Sequence, residues 1–160
     1  MLKKQMSKIR ITKSIIFSPD SEEEIDVLYN IQKESLKDNR VRIWNKVDIK
    51  SLLQQKHIHA YILQNKGINI SYIIFSNLSH ECEIFSLGTI EKMRGKGYAR
   101  ELLEFFVEKN LSDNNKIAFL EVEENNQAAI DLYEKFSFRN VGIRNKYYSN
   151  NENALIMKRS

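Results

Sequence analysis

The chain has 160 residues, of which 42% are hydrophobic and 29% are charged, and its formal net charge is +4. These values are typical of a single soluble globular domain over residues 1–160, and no apolar run reaches the roughly 20 residues that span a bilayer. The lone Cys82 excludes an internal disulfide and favours a reducing, cytoplasmic setting, while a dispersed positive charge without a known binding motif argues against nucleic acid as a partner.

The first part of the chain predicts one strand and two helices. Alternating apolar residues in 9–17 predict the strand. Ser21 and Glu24 form a capping box before an apolar stripe that begins at Ile25, which predicts the first helix. A second, short helix is predicted within residues 45–56.

From residue 57 the apolar period changes from that of a helix to that of a strand. Three antiparallel strands joined by tight turns are predicted within 57–90, followed by a helix over 97–110. A strand over 116–124, a helix with Asn126 as its N-cap and two closing strands complete the prediction. The order β-α-α-β-β-β-α-β-α-β-β predicts an α/β fold with a mixed, mainly antiparallel sheet.

The stretch "RGKGYARELL", residues 94–103, lies between a strand that ends near Thr89 and the helix predicted from Gly97. Such a junction exposes unpaired backbone N–H groups at the positive end of a helix dipole, and glycine lets an anion approach the backbone. A phosphate or pyrophosphate fits this chemistry. Neither the P-loop pattern nor the G-x-G-x-x-G dinucleotide pattern is present.

The run Arg94-x-x-Gly97-x-Ala99 resembles the acyl-CoA pyrophosphate motif Q/R-x-x-G-x-G/A of the GNAT superfamily of N-acetyltransferases. A basic, capped loop without a ligand would contain the same six residues. A second block, "LEVEENNQAAIDLYEKFSF" at 120–138, is similar to the next conserved block of RimI-type enzymes, and "GIRNKYY" with "ENALIMKR" is similar to their C-terminus. RimI-type enzymes acetylate the N-terminal alanine of a small-subunit ribosomal protein.

The resemblance implies the GNAT fold, acetyl-CoA as the cosubstrate and direct acetyl transfer to an amine, with a ribosomal-protein N-terminus as acceptor and no metal. An α-amine, with a pKa of about 7.7–8.0, is easier to deprotonate than a lysine at about 10.4. By the resemblance, Glu121 is the general base and Tyr133 the general acid at sulfur. Trp44 and Tyr147 are implied to bind the acceptor. Residues implied to bind acetyl-CoA are Leu87, Gly88, Thr89, Arg94, Gly95, Lys96, Gly97, Tyr98, Ala99, Arg100 and Asn126.

Other readings of these residues stay open. A GNAT enzyme could instead acetylate a small-molecule amine or a protein lysine, and a non-catalytic regulatory module could keep only the acyl-CoA site. Tyr133 lies on an apolar stripe that a core would also require, and a carboxylate on a strand is usually solvated. The first eighty residues match the family loosely, and Ser137 replaces a usual glycine, which predicts an altered helix end.

Overall fold

The computed structural model describes residues 10–14, 21–36, 43–112, 116–148 and 151–160. Its elements follow the predicted order, with one short 3-10 turn at Glu91–Met93 added. The strands are β1 Arg10–Ser14, β2 Ile58–Asn65, β3 Ile68–Leu78, β4 Glu81–Thr89, β5 Ile117–Glu123, β6 Arg139–Arg144 and β7 Ala154–Arg159. The helices are α1 Glu22–Ser35, α2 Lys46–Leu53, α3 Tyr98–Asn110 and α4 Gln127–Lys135.

All seven strands belong to one sheet in the order β1-β2-β3-β4-β5-β7-β6. Each neighbouring pair is antiparallel except β4 and β5, which are parallel because α3 carries the chain back across the sheet between them. The prediction of a mixed, mainly antiparallel sheet is therefore confirmed.

Helices cover both faces of the sheet, and each face has its own hydrophobic cluster. On one face the apolar stripes of α1 and α2 pack on the middle strands, through residues such as Ile25, Leu28, Ile49, Tyr72 and Ile74. On the other face α3 and α4 do the same, through residues such as Leu102, Phe106, Ile130, Phe75 and Leu120. No helix among the described residues is long and apolar enough to cross a membrane.

Several element boundaries differ from the prediction. Helix α3 begins at Tyr98 and not at Gly97, because Gly97 has a left-handed φ of +90° and serves as the N-cap residue. Helix α2 covers only part of the predicted 45–56, since Asn45 caps it and Gln54 ends it. The predicted first strand is present over Arg10–Ser14, and residues 9 and 15–17 lie outside the described residues.

The end of helix α4 is a regular Schellman cap. The N–H of Phe138 donates to the carbonyl of Tyr133 at 3.1 Å, and that of Ser137 donates to Glu134 at 3.0 Å. Ser137 therefore occupies the left-handed position, with φ +66°, where glycine is usual. The prediction that Ser137 alters this helix end is wrong, because Ser137 adopts the left-handed backbone that glycine usually takes and Phe138 is fully buried.

Strands β4 and β5 separate after a short paired segment. Their parallel pairing runs only from Glu81–Ile117 to Ile84–Leu120. Beyond this point β4 stays with β3 as far as Thr89, while β5 stays with β7 as far as Glu123. A β-bulge at Phe85, which lies between the Phe75–Ile84 and Ile74–Ser86 pairs, marks the start of the divergence. A wedge-shaped gap in the sheet follows.

Gly88 lies on β4 beside this gap, against the end of helix α1. A Cβ atom placed there would lie 2.6 Å from Cε1 of Tyr72 and 2.9 Å from Cβ of Ser35. The Tyr72 ring is fully buried, and its hydroxyl is hydrogen-bonded to Ser86 at 2.7 Å. The ring therefore has little room to move away.

We expect Gly88→Ala to lower the free energy of unfolding by about 1–3 kcal/mol, the usual cost of overpacking a core. Gly142→Ala is the matched control on β6, because the nearest atom to its added Cβ is Cδ1 of Ile156 at an ordinary 3.5 Å. Urea denaturation of both variants measures the difference. Equal stability of the two variants would contradict the close packing at Gly88.

Candidate active site

The gap between β4 and β5 opens into a cavity of about 630 Å³. It brings together residues that are far apart in the sequence but were all predicted to be functional. These are Trp44, Leu87, Glu121, Asn126, Tyr133 and Tyr147. Glu83, Phe85, Ser86 and Tyr148 also line the cavity and were not predicted.

A second cavity of about 460 Å³ adjoins the first along β4. The two share Leu87 and Asn126 as lining residues, so they form one elongated cleft. The second cavity also contains Gly88, Thr89 and Arg94. It therefore extends from the separated strands toward the loop that precedes α3.

Backbone groups of the cleft fit a ligand that contains peptide-like amides. Beyond Ile84 and Leu120 the facing edges of β4 and β5 no longer exchange hydrogen bonds. Backbone N–H and C=O groups are obligatory hydrogen-bonding groups, so these edges need water or a ligand as partner. An extended chain with amide groups placed between the strands would supply such partners.

The loop before α3 fits an anion. Gly95 and Gly97 have left-handed φ values of +73° and +90°, and open space surrounds both. Helices α1, α2 and α4 each have a side-chain N-cap, whereas α3 begins at Gly97 without one. In the part of the chain that the structure describes, no side chain caps the first-turn N–H groups at residues 98–100, which point out of the helix as an anion site requires.

The side chains of this loop mainly attach it to the rest of the protein. Nη2 of Arg94 donates to the carbonyl of Ser35 at 2.6 Å, and its Nε donates to Thr89 at 3.4 Å. Nζ of Lys96 contacts Sδ of Met93 at 3.5 Å, and the Tyr98 hydroxyl accepts from Asn65 at 3.3 Å. Ala99 and Arg100 follow in the first turn, and none of residues 95–100 lines either cavity. A ligand at this loop would therefore meet backbone more than side chains.

Glu121 points into the cleft from β5. Its strand neighbours Ala118, Leu120 and Val122 are buried in the core, so Glu121 faces the opposite side of the sheet. Oε1 of Glu121 accepts a hydrogen bond from Nη1 of Arg144 at 2.7 Å, and a quarter of the Glu121 side chain is exposed (25%). A partly exposed carboxylate in a cleft is placed to accept a proton.

Tyr133 enters the cleft from α4, on the side opposite to Glu121. It is 7% exposed, and its ring packs edge-on against Phe138 with 5.9 Å between centroids. Burial raises the pKa of the Tyr133 hydroxyl, with smaller contributions from Tyr148 and Tyr72. Within the part of the chain that the structure describes, no hydrogen bond occupies this hydroxyl, which is therefore a neutral donor available to a ligand.

Asn126 caps helix α4, as predicted, by accepting from the N–H of Ala129 at 3.2 Å. It lines both cavities. Cys82, in contrast, is fully buried and lines neither of them. Because burial raises the pKa of the Cys82 thiol, the reactive thiolate is disfavoured, and nothing in this geometry favours an acyl-enzyme.

Sequence reasoning missed Arg144 as well as the lining residues Glu83, Phe85, Ser86 and Tyr148. Burial raises the pKa of Glu83, and so do the nearby carboxylates of Glu121 and Glu81, while Arg144 lowers it. The period of two along β4 would have placed Glu83 and Phe85 on one face. Arg144 and Tyr148 lie within the quoted stretch "GIRNKYY", but no spacing rule connects them with Glu121.

Comparison with known proteins identifies a family that matches most of the chain. The sequence profile of the Acetyltransferase (GNAT) family matches residues 25–138. An N-alpha-acetyltransferase of Saccharolobus solfataricus is 36% identical over 84 residues, which are 52% of this chain and 50% of the relative. The match thus spans about half the length of that relative. A putative [ribosomal protein bS18]-alanine N-acetyltransferase of Bacillus subtilis is 28% identical over 137 residues, 84% of this chain and 88% of the relative.

Among solved structures, the ribosomal-protein-S18-alanine N-acetyltransferase of Escherichia coli superimposes with a TM-score of 0.80. The two chains are 23% identical, and the superposition covers 94% of this chain and 92% of the other. At this identity the likeness concerns the fold. The fold that the sequence resemblance implies is therefore confirmed.

Proposed function

Because the chain belongs to the GNAT acetyltransferase family, we propose that it transfers an acetyl group from acetyl-CoA to a primary amine in the cytoplasm. We further propose that the amine is the N-terminal α-amine of a protein, with the alanine of a ribosomal protein as the first candidate. The observation that carries the proposal is the cleft, in which Glu121 and Tyr133 approach the gap between β4 and β5 from opposite sides.

The donor half of the proposal rests on backbone geometry. The pantetheine arm of acetyl-CoA carries two amides, which match the unpaired edge of Leu87, Gly88 and Thr89 on β4. The pyrophosphate would lie against the loop of Gly95 and Gly97, where the uncapped N-terminus of α3 provides N–H groups. Asn126, whose oxygen already caps α4, would offer its amide nitrogen to the same arm.

The transfer itself needs one group that removes a proton and one that stabilises sulfur. The amine nitrogen bonds to the thioester carbonyl carbon, the carbon–sulfur bond breaks, and Glu121 takes the proton from the amine directly or through water. Tyr133 donates its hydroxyl hydrogen to the departing sulfur. Its raised pKa keeps the proton on oxygen until then, and the same buried surroundings also raise the pKa of the thiol that receives it.

The acceptor half rests on the aromatic residues across the cleft and on the names of the relatives. Trp44 is partly buried and lines the cavity, and Tyr147, with 47% of its surface exposed, lies at its rim. Aromatic side chains hold a peptide by contact area at little conformational cost. The Saccharolobus and Bacillus relatives are both named for acetylation of α-amines, which favours this acceptor over a small amine or a lysine.

The proposal is tested by incubating the protein with acetyl-CoA and a panel of amines, with mass spectrometry of the products. The panel contains peptides that differ in their first residue, the same peptides with blocked N-termini and an internal lysine, and a polyamine. We expect acetylation of free α-amines, with alanine-first peptides among the best. Acetylation confined to lysine or to the polyamine would contradict the acceptor, and no acetylation at all would contradict the enzyme.

Tyr133→Phe should lower kcat by about 10²–10⁴-fold, the usual contribution of a general acid. The substitution removes one hydroxyl and keeps the ring packed against Phe138. Calorimetric titration with CoA should therefore give an unchanged Kd. A variant with wild-type kcat would remove Tyr133 from the mechanism, and a variant that fails to bind CoA would assign it a binding role instead.

Gly97→Ala should weaken CoA binding by about tenfold, equivalent to about 1.4 kcal/mol, because an L-residue rarely adopts a φ of +90°. Gly67→Ala is the matched control, since Gly67 has a φ of +79°, open surroundings and a place in the β2–β3 turn, which lines neither cavity. We expect both variants to lose similar stability. If both also bind CoA equally well, the loop at Gly97 does not hold the pyrophosphate.

A further inference from the structure

We propose that Arg144 is a positioning residue for the carboxylate of Glu121, and that it couples this carboxylate to the tyrosine pair at the acceptor side of the cleft. The inference rests on the proposed function of Glu121 as the base. Three contacts carry it, and they connect strands β5 and β6 with the loop that follows β6.

The first contact crosses the edge of the sheet. Arg144 pairs with Ala154 of β7, which in turn pairs with Glu123 of β5, so Arg144 lies two rows from Glu121 and on the same face of the sheet. The row of Glu121 ends at Gly142, which has no side chain to compete for the carboxylate. Nη1 of Arg144 reaches Oε1 of Glu121 at 2.7 Å.

The second and third contacts involve aromatic rings. The guanidinium carbon of Arg144 lies 4.5 Å from the centroid of the Tyr147 ring. The Tyr147 ring meets that of Tyr148 edge-on at 5.2 Å. The pKa of the Tyr147 hydroxyl is raised by burial and then by Glu121, which indicates that the ring and the carboxylate lie close together. One guanidinium thus contacts both the base and the aromatic rim.

This arrangement has two consequences for the base. The bond from Arg144 to Oε1 restricts the orientation of the carboxylate, and Arg144 makes no bond to Oε2, through which we propose that the amine or its water is engaged. Arg144 also balances the negative charge that Glu121 shares with Glu83, whose pKa responds to both residues. Without Arg144, Glu121 would still be a carboxylate, but its orientation would no longer be fixed. A general base must first lie within hydrogen-bond reach of the proton, and only then does its basicity matter.

We expect Arg144→Gln to lower kcat by about tenfold, within the range of coupling between residues in contact, with KM for acetyl-CoA unchanged. Arg144→Lys should recover part of the loss because it keeps the charge. Arg139→Gln is the matched control on the same strand, since among the described residues Arg139 donates only to the carbonyls of Glu134 and Phe138. Its kcat should equal that of the wild type.

A double-substitution cycle separates positioning from a general loss of structure. In the Glu121→Gln background, Arg144→Gln should change kcat by less than twofold, because the group that it positions is gone. Equal factors in both backgrounds would overturn the inference. If the unsubstituted protein acetylates no amine, the proposed function fails first, and the contact is then judged without turnover.

The contact between Arg144 and Glu121 is tested without turnover by the ¹⁵N spectrum of the arginine Nε–H groups. The signal that disappears in Arg144→Lys is that of Arg144. We expect the Arg144 signal to move in Glu121→Gln, because the ion pair is lost while the Tyr147 ring remains beside the guanidinium. An Arg144 signal that Glu121→Gln leaves in place would show that the pair is absent in solution. That result overturns the inference whatever the enzyme does.

Discussion

The early end of the hydrogen-bond ladder between β4 and β5 is the constraint on which the rest of this molecule depends. After four paired residues on each strand the backbone edges face an open gap, although unpaired backbone groups are costly to bury. The bulge at Phe85 turns β4 away, and outer pairing with β3 and β7 keeps each strand extended. The sheet therefore remains regular on both sides of the gap, and a ligand placed in the gap can form the backbone hydrogen bonds that β4 and β5 no longer exchange.

The parallel direction of β4 and β5 determines what surrounds the opening. Each strand is followed by a helix, so the N-termini of α3 and α4 both lie at the carboxyl ends of the separated strands, the edge where ligands usually bind in such sheets. One N-terminus is uncapped and suits an anion, while the other brings Asn126 and, further along, Tyr133 to the cleft. The parallel connection from β4 to β5 thus places both the loop before α3, which is proposed to bind acetyl-CoA, and the candidate acid Tyr133 at the same edge of the sheet.

Contacts distant in sequence attach the helical segment on the acceptor side to this opening. Arg94, in the loop before α3, donates to the carbonyl of Ser35, the last residue of α1, which is 59 residues away in the sequence. Trp44, beyond that helix, is held by its N–H, which donates to the buried Gln32 of α1 at 2.5 Å. Helix α1 therefore contacts both the loop before α3, on the side proposed for acetyl-CoA, and Trp44, on the side proposed for the acceptor.

The sequence alone determined the order of elements, the mixed sheet, the capping role of Asn126 and the family, because periodicity, caps and short motifs are local properties that neighbouring residues express directly. It also predicted several of the residues that line the cleft, among them Glu121, Asn126 and Tyr133. Only the tertiary structure decided that Arg144 meets Glu121 across 23 residues, that Glu83 lies beside them and that Arg94 binds α1 instead of open solvent. These contacts depend on the registers of β5, β7 and β6 and on the point where β4 leaves β5, and no local pattern encodes a register between distant strands.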